Sequence, residues 1–290
     1  MILMPSAVSA KPAAPLEREP RVRRTPVTRF AELSSKEKTA HAAWRLSLLN
    51  GSGRPARPVD SNSLRELVSA LMALTSALAE LHGTPDLGNK RDPVDELVYI
   101  VLSRRTREGA YQDAFKRLKA AFRTWEDLAD APDGEIENLI AFSGLGRRKA
   151  RSLKLALGTL RDRFGECTLE PTRVWSDEET ASFLCTLPEV GPKSAACIMM
   201  CALDRPAFPV DAHVGRVLER VGVFRSVGIE LAGLDHKEKQ RLLWDVVPPA
   251  LRYVLHVNAL AHGRAYCLPK RARCDACTLA EGCEFLASMR

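Results

Sequence analysis

No stretch of this 290-residue chain is apolar for long enough to read as a membrane span. The most hydrophobic long run, LRELVSALMALTSALAELHG at 64–83, carries Arg65, Glu66 and Glu80 and repeats its apolar residues at helical spacing. It reads as a packed helix, with Ser63 and Glu66 forming a capping box at its start. No secretory leader is expected: MILMPSAVSAKP is too short and too interrupted for an apolar h-region. Eight cysteines without such a leader point to a reducing compartment, and to ligation rather than disulfides. No alternating apolar–polar run marks a half-buried strand, which leaves an all-α chain. Charge of one sign is in modest excess, with 43 Lys+Arg against 36 Asp+Glu and a net +7. A polyanionic partner and a merely solvated basic surface both fit that balance.

The length suits one large or two moderate domains, and a hydrophobic share of 46% is ample for a core. Residues 1–29 are rich in Pro, Ala and Arg and read as a disordered basic tail. A short helix over 30–49 and a flexible linker over 50–62 follow. From Ser63 onward, helical segments recur between Gly/Pro turns, among them 95–105, 110–122, 147–164 and 237–247.

Two of those turns are alike. FSGLGRRKA at 142–150 and LPEVGPKSA at 187–195 share the pattern apolar-x-x-[LV]-G-x-[RK]-x-A. Each joins a helix end to a new helix, whose free N–H groups and positive dipole end favour an anion such as phosphate. A tight connection with no ligand would look the same. The pattern nominates Leu145, Gly146 and Arg148 in the first turn, and Val190, Gly191 and Lys193 in the second.

Near the C-terminus, Cys267, Cys274, Cys277 and Cys283 form C-x6-C-x2-C-x5-C. Zinc sites usually have two C-x2-C knuckles set apart, and one compact loop of four thiolates suits a 4Fe–4S cluster better. Cys167, Cys185, Cys197 and Cys201 show no ligand spacing, and Cys197 and Cys201 fit a helix core. Lys270, Arg271 and Arg273 lie between the first two ligands, as a phosphate-gripping loop or as a solvated turn.

LPEVGPKSA, then PVDAHVGRVLERVG, then the four-cysteine tail, in that order, closely resemble the endonuclease III family of helix–hairpin–helix DNA glycosylases, over about residues 63–290. The resemblance implies two helical domains flanking a DNA-binding cleft. A six-helix barrel would span 95–205, and a discontinuous iron–sulfur domain would combine 63–94 with 206–290, leaving 1–62 as an extension. It implies a 4Fe–4S cluster on the four cysteines, and a monomer acting on double-stranded DNA that holds a damaged base or an abasic site. A cytoplasmic, nucleoid-associated place is expected if the source is bacterial.

By position in the family motif, Lys193 takes the place of the nucleophile and Asp211 that of the catalytic aspartate. An amine can attack C1′ of the damaged nucleotide, form a Schiff base and permit β-elimination of the 3′ phosphate. It must first lose its proton, and the helix N-terminus and partial burial are expected to lower the lysine pKa. Arg148, its counterpart, grips phosphate but cannot be deprotonated. Asp211 precedes a helix and is also an ordinary N-cap; the two roles can coexist. Leu145 is the wedge that would part the strands, or an apolar turn residue. Arg105 stands where the family usually has a glutamine that fills the gap left by the flipped base. An arginine there fills the gap or binds backbone, and it puts an oxidised-pyrimidine pocket in question. The expected activity is a bifunctional glycosylase and abasic-site lyase removing a damaged pyrimidine. A same-fold enzyme with narrow lesion or mismatch preference and weak lyase action is the alternative, with a non-catalytic DNA-binding module as the rival of another class.

Overall fold

The computed structural model describes residues 60–289. The basic tail, the short helix and all but the last residues of the linker expected before Ser63 lie outside the described residues. Helices and short 3-10 turns make up the regular structure, and no strand occurs among the described residues. The helices are α1 (Ser61–His82), α2 (Pro93–Ser103), α3 (Glu108–Ala121), α4 (Trp125–Asp130), α5 (Asp133–Ile140), α6 (Gly146–Phe164), α7 (Asp177–Thr186), α8 (Pro192–Cys201), α9 (Ala212–Val221), α10 (His236–Val246), α11 (Arg252–Ala265) and α12 (Glu284–Ala287). Among the described residues no helix is long and apolar enough to cross a membrane.

Helix boundaries follow local chemistry within about two residues of the periodicity. Segment 95–105 becomes α2 because Asp92 caps it, accepting from the N–H groups of Val94 and Asp95, with Pro93 in the first turn. It stops at Ser103 because Arg104 turns extended and Arg105 adopts a left-handed φ of 49°. The cap of α1 is a correction. Asp60, not Ser63, accepts the N–H groups of Asn62 and Ser63, and Ser63 Oγ donates to Asp60 Oδ2 at 2.6 Å. Glu66 instead accepts from the Asn62 side chain at 2.8 Å. An earlier carboxylate, binding two N–H groups at once, displaces the serine box.

Buried apolar side chains fall into two clusters. One gathers α2 through α8, from Val94 to Ala207; the other joins α1 to the segment from Phe208 to Leu260. The chain crosses between them at adjacent residues, since Ala207 and Phe208 are both fully buried in different clusters. The non-helical run 204–211 that makes this crossing has no strand beside it among the described residues, so side chains satisfy much of its backbone. Gln240 accepts from Val210 N–H at 2.7 Å and donates to the Phe208 carbonyl at 2.7 Å. His256 meets the Pro209 carbonyl at 2.7 Å, and Arg252 donates to the Pro206 carbonyl. This pinning sets where Asp211 emerges at the head of α9.

Candidate active site and nucleic-acid interface

The two similar turns fold differently at matched positions. In the first, Gly144 takes φ 74° and Leu145 φ 56°, leaving the leucine side chain 48% exposed. In the second, Glu189 takes φ 65° in place of Gly144, while Val190 is 4% exposed and packs in the first core. The valine N–H already donates to the Leu187 carbonyl at 3.1 Å. Val190, expected at the DNA, has its side chain in the core, buried because Pro188 and Glu189 turn the chain inward before it. The glycines also part company. Gly146 is buried, and a Cβ there would meet Ala141 Cα at 3.0 Å, so close packing requires a glycine there. Gly191 is exposed, with nothing within 4 Å of a Cβ.

Lys193 stands in the first turn of α8, half-buried, on an open cleft of about 530 Å³. Ile100, Ser103, Arg104 and Arg105 line one side, with Val210, His236 and Gln240 on the other. Asp211 caps α9, with Oδ1 accepting from His213 N–H at 2.9 Å and Val214 N–H at 2.8 Å. Both of those bonds fall on one oxygen. Burial pushes the Asp211 carboxyl up, but the attraction of His256 and Lys193 and the Val214 N–H outweigh it, so its pKa lies below the ordinary aspartate value.

The lysine corrects the expectation of a depressed amine. Its pKa is raised: Cys197, one turn along α8, favours the ammonium most, burial opposes, and Asp211 reinforces. Helix position and burial do disfavour the charge, yet neighbouring anionic partners overcome them. Burial holds the Cys197 thiol up and therefore un-ionised at neutral pH, so there Asp211 is the partner that sustains the ammonium. Lys193 and Asp211 form no direct ion pair among the described residues, leaving the carboxylate close enough to act on the amine without capturing it.

Sequence reasoning missed two groups behind this pair. Glu96 is fully buried on α2, accepting from Asn89 Nδ2 at 2.5 Å and Lys90 N–H at 2.6 Å. Burial pushes its carboxyl to about 7, against those donors and the pull of Lys90 and Lys193. His256 is 3% exposed, and burial lowers its pKa to about 4. It is therefore neutral, with Nδ1 carrying the proton toward the Pro209 carbonyl. Their sequence signals were weak, because Glu96 in DELV looks like a solvated helix face.

A third missed residue reorganises the arginines. Glu189 Oε1 takes Arg148 Nε at 2.7 Å and Arg148 Nη2 at 2.5 Å, and Oε2 takes Arg104 Nη1 at 2.5 Å. Arg148 is thus exposed but tied across to the second turn, while Arg105 is exposed at the cleft rim.

Helix α9 carries the site toward the cysteine loop. Arg216 donates to the carbonyls of Cys267 at 2.7 Å, Gly263 at 2.9 Å and Ala212 at 3.1 Å, and it lies 3.2 Å from His213 Nδ1. Arg220 donates to the carbonyls of Leu268 at 2.8 Å and Pro269 at 2.9 Å. Arg273 N–H closes the loop on the Tyr266 carbonyl at 2.9 Å, and Lys270, Arg271 and Arg273 are exposed. Cys267, Cys274, Cys277 and Cys283 are all half-buried and line one small pocket floored by Val217 and Leu279. Among the described residues no three His, Cys, Asp or Glu side chains gather as a single-ion site.

Comparison with known proteins agrees with this architecture. The family described as HhH-GPD superfamily base excision DNA repair protein matches residues 98–249. Endonuclease III of Thermotoga maritima is 30% identical over 194 residues, 67% of this chain and 84% of that protein. An Arabidopsis thaliana protein carrying the name of a DNA glycosylase is 33% identical over 171 residues, 59% of this chain and only 56% of its own length. A solved structure of a trapped endonuclease III–DNA covalent intermediate, an estranged-adenine complex, aligns with a TM-score of 0.63 at 28% identity, covering 75% of this chain and 96% of that one. The chain belongs to the HhH-GPD superfamily of base-excision DNA repair proteins, and within it is similar to endonuclease III.

Proposed function

We propose that this protein is a base-excision repair DNA glycosylase with abasic-site lyase activity, acting as a monomer on double-stranded DNA. The observation that carries the reading is an amine, Lys193, on an open cleft with the half-buried Asp211 carboxylate in electrostatic reach. A damaged base, a pyrimidine in the first reading, would be flipped into that cleft. As the N-glycosidic bond breaks, the base leaves with the bonding electrons and takes up the proton that Lys193 gives up. The freed amine bonds to C1′, while Asp211, ionised across the neutral range, stabilises the positive charge on the sugar. Opening of the sugar ring yields the Schiff base. Loss of a 2′ proton then expels the 3′ phosphate. Because Asp211 Oδ1 is engaged by two backbone N–H groups, the aspartate is oriented by its capping role and Oδ2 is left for the sugar.

The raised amine pKa carries a sign. On a preformed abasic site, where no departing base takes the proton, the rate of adduct formation rises with pH from neutrality upward as free amine accumulates.

The four cysteines line one small pocket, and a compact loop of four thiolates suits a 4Fe–4S cluster better than a lone zinc ion. Cys267, Cys274, Cys277 and Cys283 would hold a 4Fe–4S cluster whose part is structural. The cluster would fix the loop bearing Lys270, Arg271 and Arg273, which Arg216 and Arg220 tie back to the helix that starts at Asp211. Analysis of the purified protein should give about four iron and four sulfide per chain, and stoichiometric zinc would reject the assignment.

The test of the activity is borohydride trapping on an abasic-site duplex. Wild type forms a covalent adduct, and Lys193→Ala forms none while still binding. Absence of a wild-type adduct would refute the lyase reading. A narrower mismatch or lesion specificity with weak lyase action is favoured by one observation, Arg105 on the rim of the cleft, where its charge restricts which base edge can enter. A panel of lesion-bearing duplexes separates the two.

A further inference from the structure

Lys149, next to the first turn's Arg148, is buried at 3% exposure with no carboxylate paired to it among the described residues. A buried ammonium is costly unless its protons are well used. Here they go to two oxygens on two different loops. Nζ donates to Thr106 Oγ1, in the α2–α3 loop, and to the Ser143 carbonyl at 3.4 Å, in the turn before α6. Thr106 Oγ1 itself lies 2.9 Å from the Ser143 carbonyl and 3.0 Å from the Arg104 carbonyl, and its single proton serves one or the other. The buried Ser143 hydroxyl anchors the turn on the Ile140 carbonyl at 2.8 Å.

What this knot joins is specific. Arg105 sits between the two α2–α3 loop residues just named, and Leu145 lies two residues past Ser143. Both are exposed, and both hold a left-handed φ, 49° and 56°, that a side chain disfavours. Backbone strain of that kind persists only where surrounding contacts over-determine it. Burial alone brings the Lys149 amine down to about 8, so at neutral pH it is mostly charged and its bonds to the two loops are charge-assisted.

We propose that Lys149 and Thr106 are positioning residues which lock the Arg105 loop to the Leu145 turn, so that the two side chains enter the duplex as one unit. Unstacking a base step is costly, and two probes on independently moving loops would each lose that contest more readily than a rigid pair. The inference rests on the glycosylase reading for its substrate but not on Lys193 chemistry.

The test uses Lys149→Met and the gentler Thr106→Val, in which the half-exposed threonine keeps its shape and loses its hydroxyl. Binding is read with a duplex carrying a tetrahydrofuran abasic analogue opposite 2-aminopurine, whose fluorescence rises when the opposite base is unstacked. Wild type should produce the rise and both variants should lose most of it. Borohydride trapping should slow about tenfold on an abasic duplex and stay within about twofold on a single-stranded abasic oligonucleotide, as loss of one charge-assisted bond predicts. Equal slowing on both substrates, or an undiminished fluorescence rise in Thr106→Val, would overturn the proposal. If wild type traps neither substrate, the lyase reading has failed, and the fluorescence of Thr106→Val alone decides this one.

Discussion

The turn at 142–150 and the turn at 187–195 share one sequence pattern and divide two kinds of work. The first pushes its apolar residue, Leu145, into solvent and buries its glycine; the second buries its apolar residue, Val190, and exposes its glycine. The first buries a lysine one position after its arginine, and the second half-buries Lys193 at the arginine's matched position. Glu189 then ties them together by holding Arg148 across the gap. A repeated pattern specifies a helix–turn–helix joint. Which side chain turns outward is decided by packing: a Cβ at Gly146 would press on Ala141, whereas Gly191 has open space. Under the proposed function, one turn would probe a duplex and the other would present an amine.

That division can be broken at graded cost. Lys193→Arg keeps the charge and phosphate affinity but removes the deprotonatable amine, so trapping should fall by about a thousandfold or more, read on an abasic duplex. Leu145→Ala should slow excision of a paired lesion by roughly tenfold while sparing a single-stranded abasic substrate, because only the duplex needs a wedge. Glu189→Gln frees Arg148 for phosphate, while Arg104 keeps its bond to the residue 189 carbonyl; binding to undamaged duplex should tighten several-fold, and its salt slope should steepen by about one. An unchanged slope would show that Arg148 never reaches the backbone. The smallest effects separate the glycines: Gly146→Ala should destabilise the fold by about 1–2 kcal/mol in thermal unfolding, and Gly191→Ala, already in an extended conformation, by less than about 0.5 kcal/mol.

The helical class, the order of the helices and the cysteine loop were legible because apolar spacing and ligand spacing are local signals. Local signals also misled where two residues competed, as at α1, where Asp60 outranks Ser63 as cap. Lys193 and Asp211 were legible as motif positions, and the structure brings them into electrostatic contact. The direction of the lysine's pKa was not, because it depends on Cys197 one turn away and on a carboxylate held in place by Gln240 and His256 from other helices. Glu96 and Glu189 read as solvated charges in sequence, since nothing local tells a buried or bridging carboxylate from an exposed one. Val190 and Leu145 were indistinguishable for the same reason: both are apolar at matched positions, and only the core decides which turns inward.

The central claim is that position in the fold, rather than the presence of a basic residue in the turn, creates the nucleophile. The double variant Arg148→Lys/Lys193→Arg exchanges the two residues between the turns and conserves total charge. Borohydride trapping on an abasic-site duplex, with the adduct mapped by mass spectrometry, tests the claim directly. The account predicts a wild-type adduct on Lys193 and none from the exchanged protein. A comparable adduct from the exchanged protein, or a wild-type adduct on any other lysine, would contradict it.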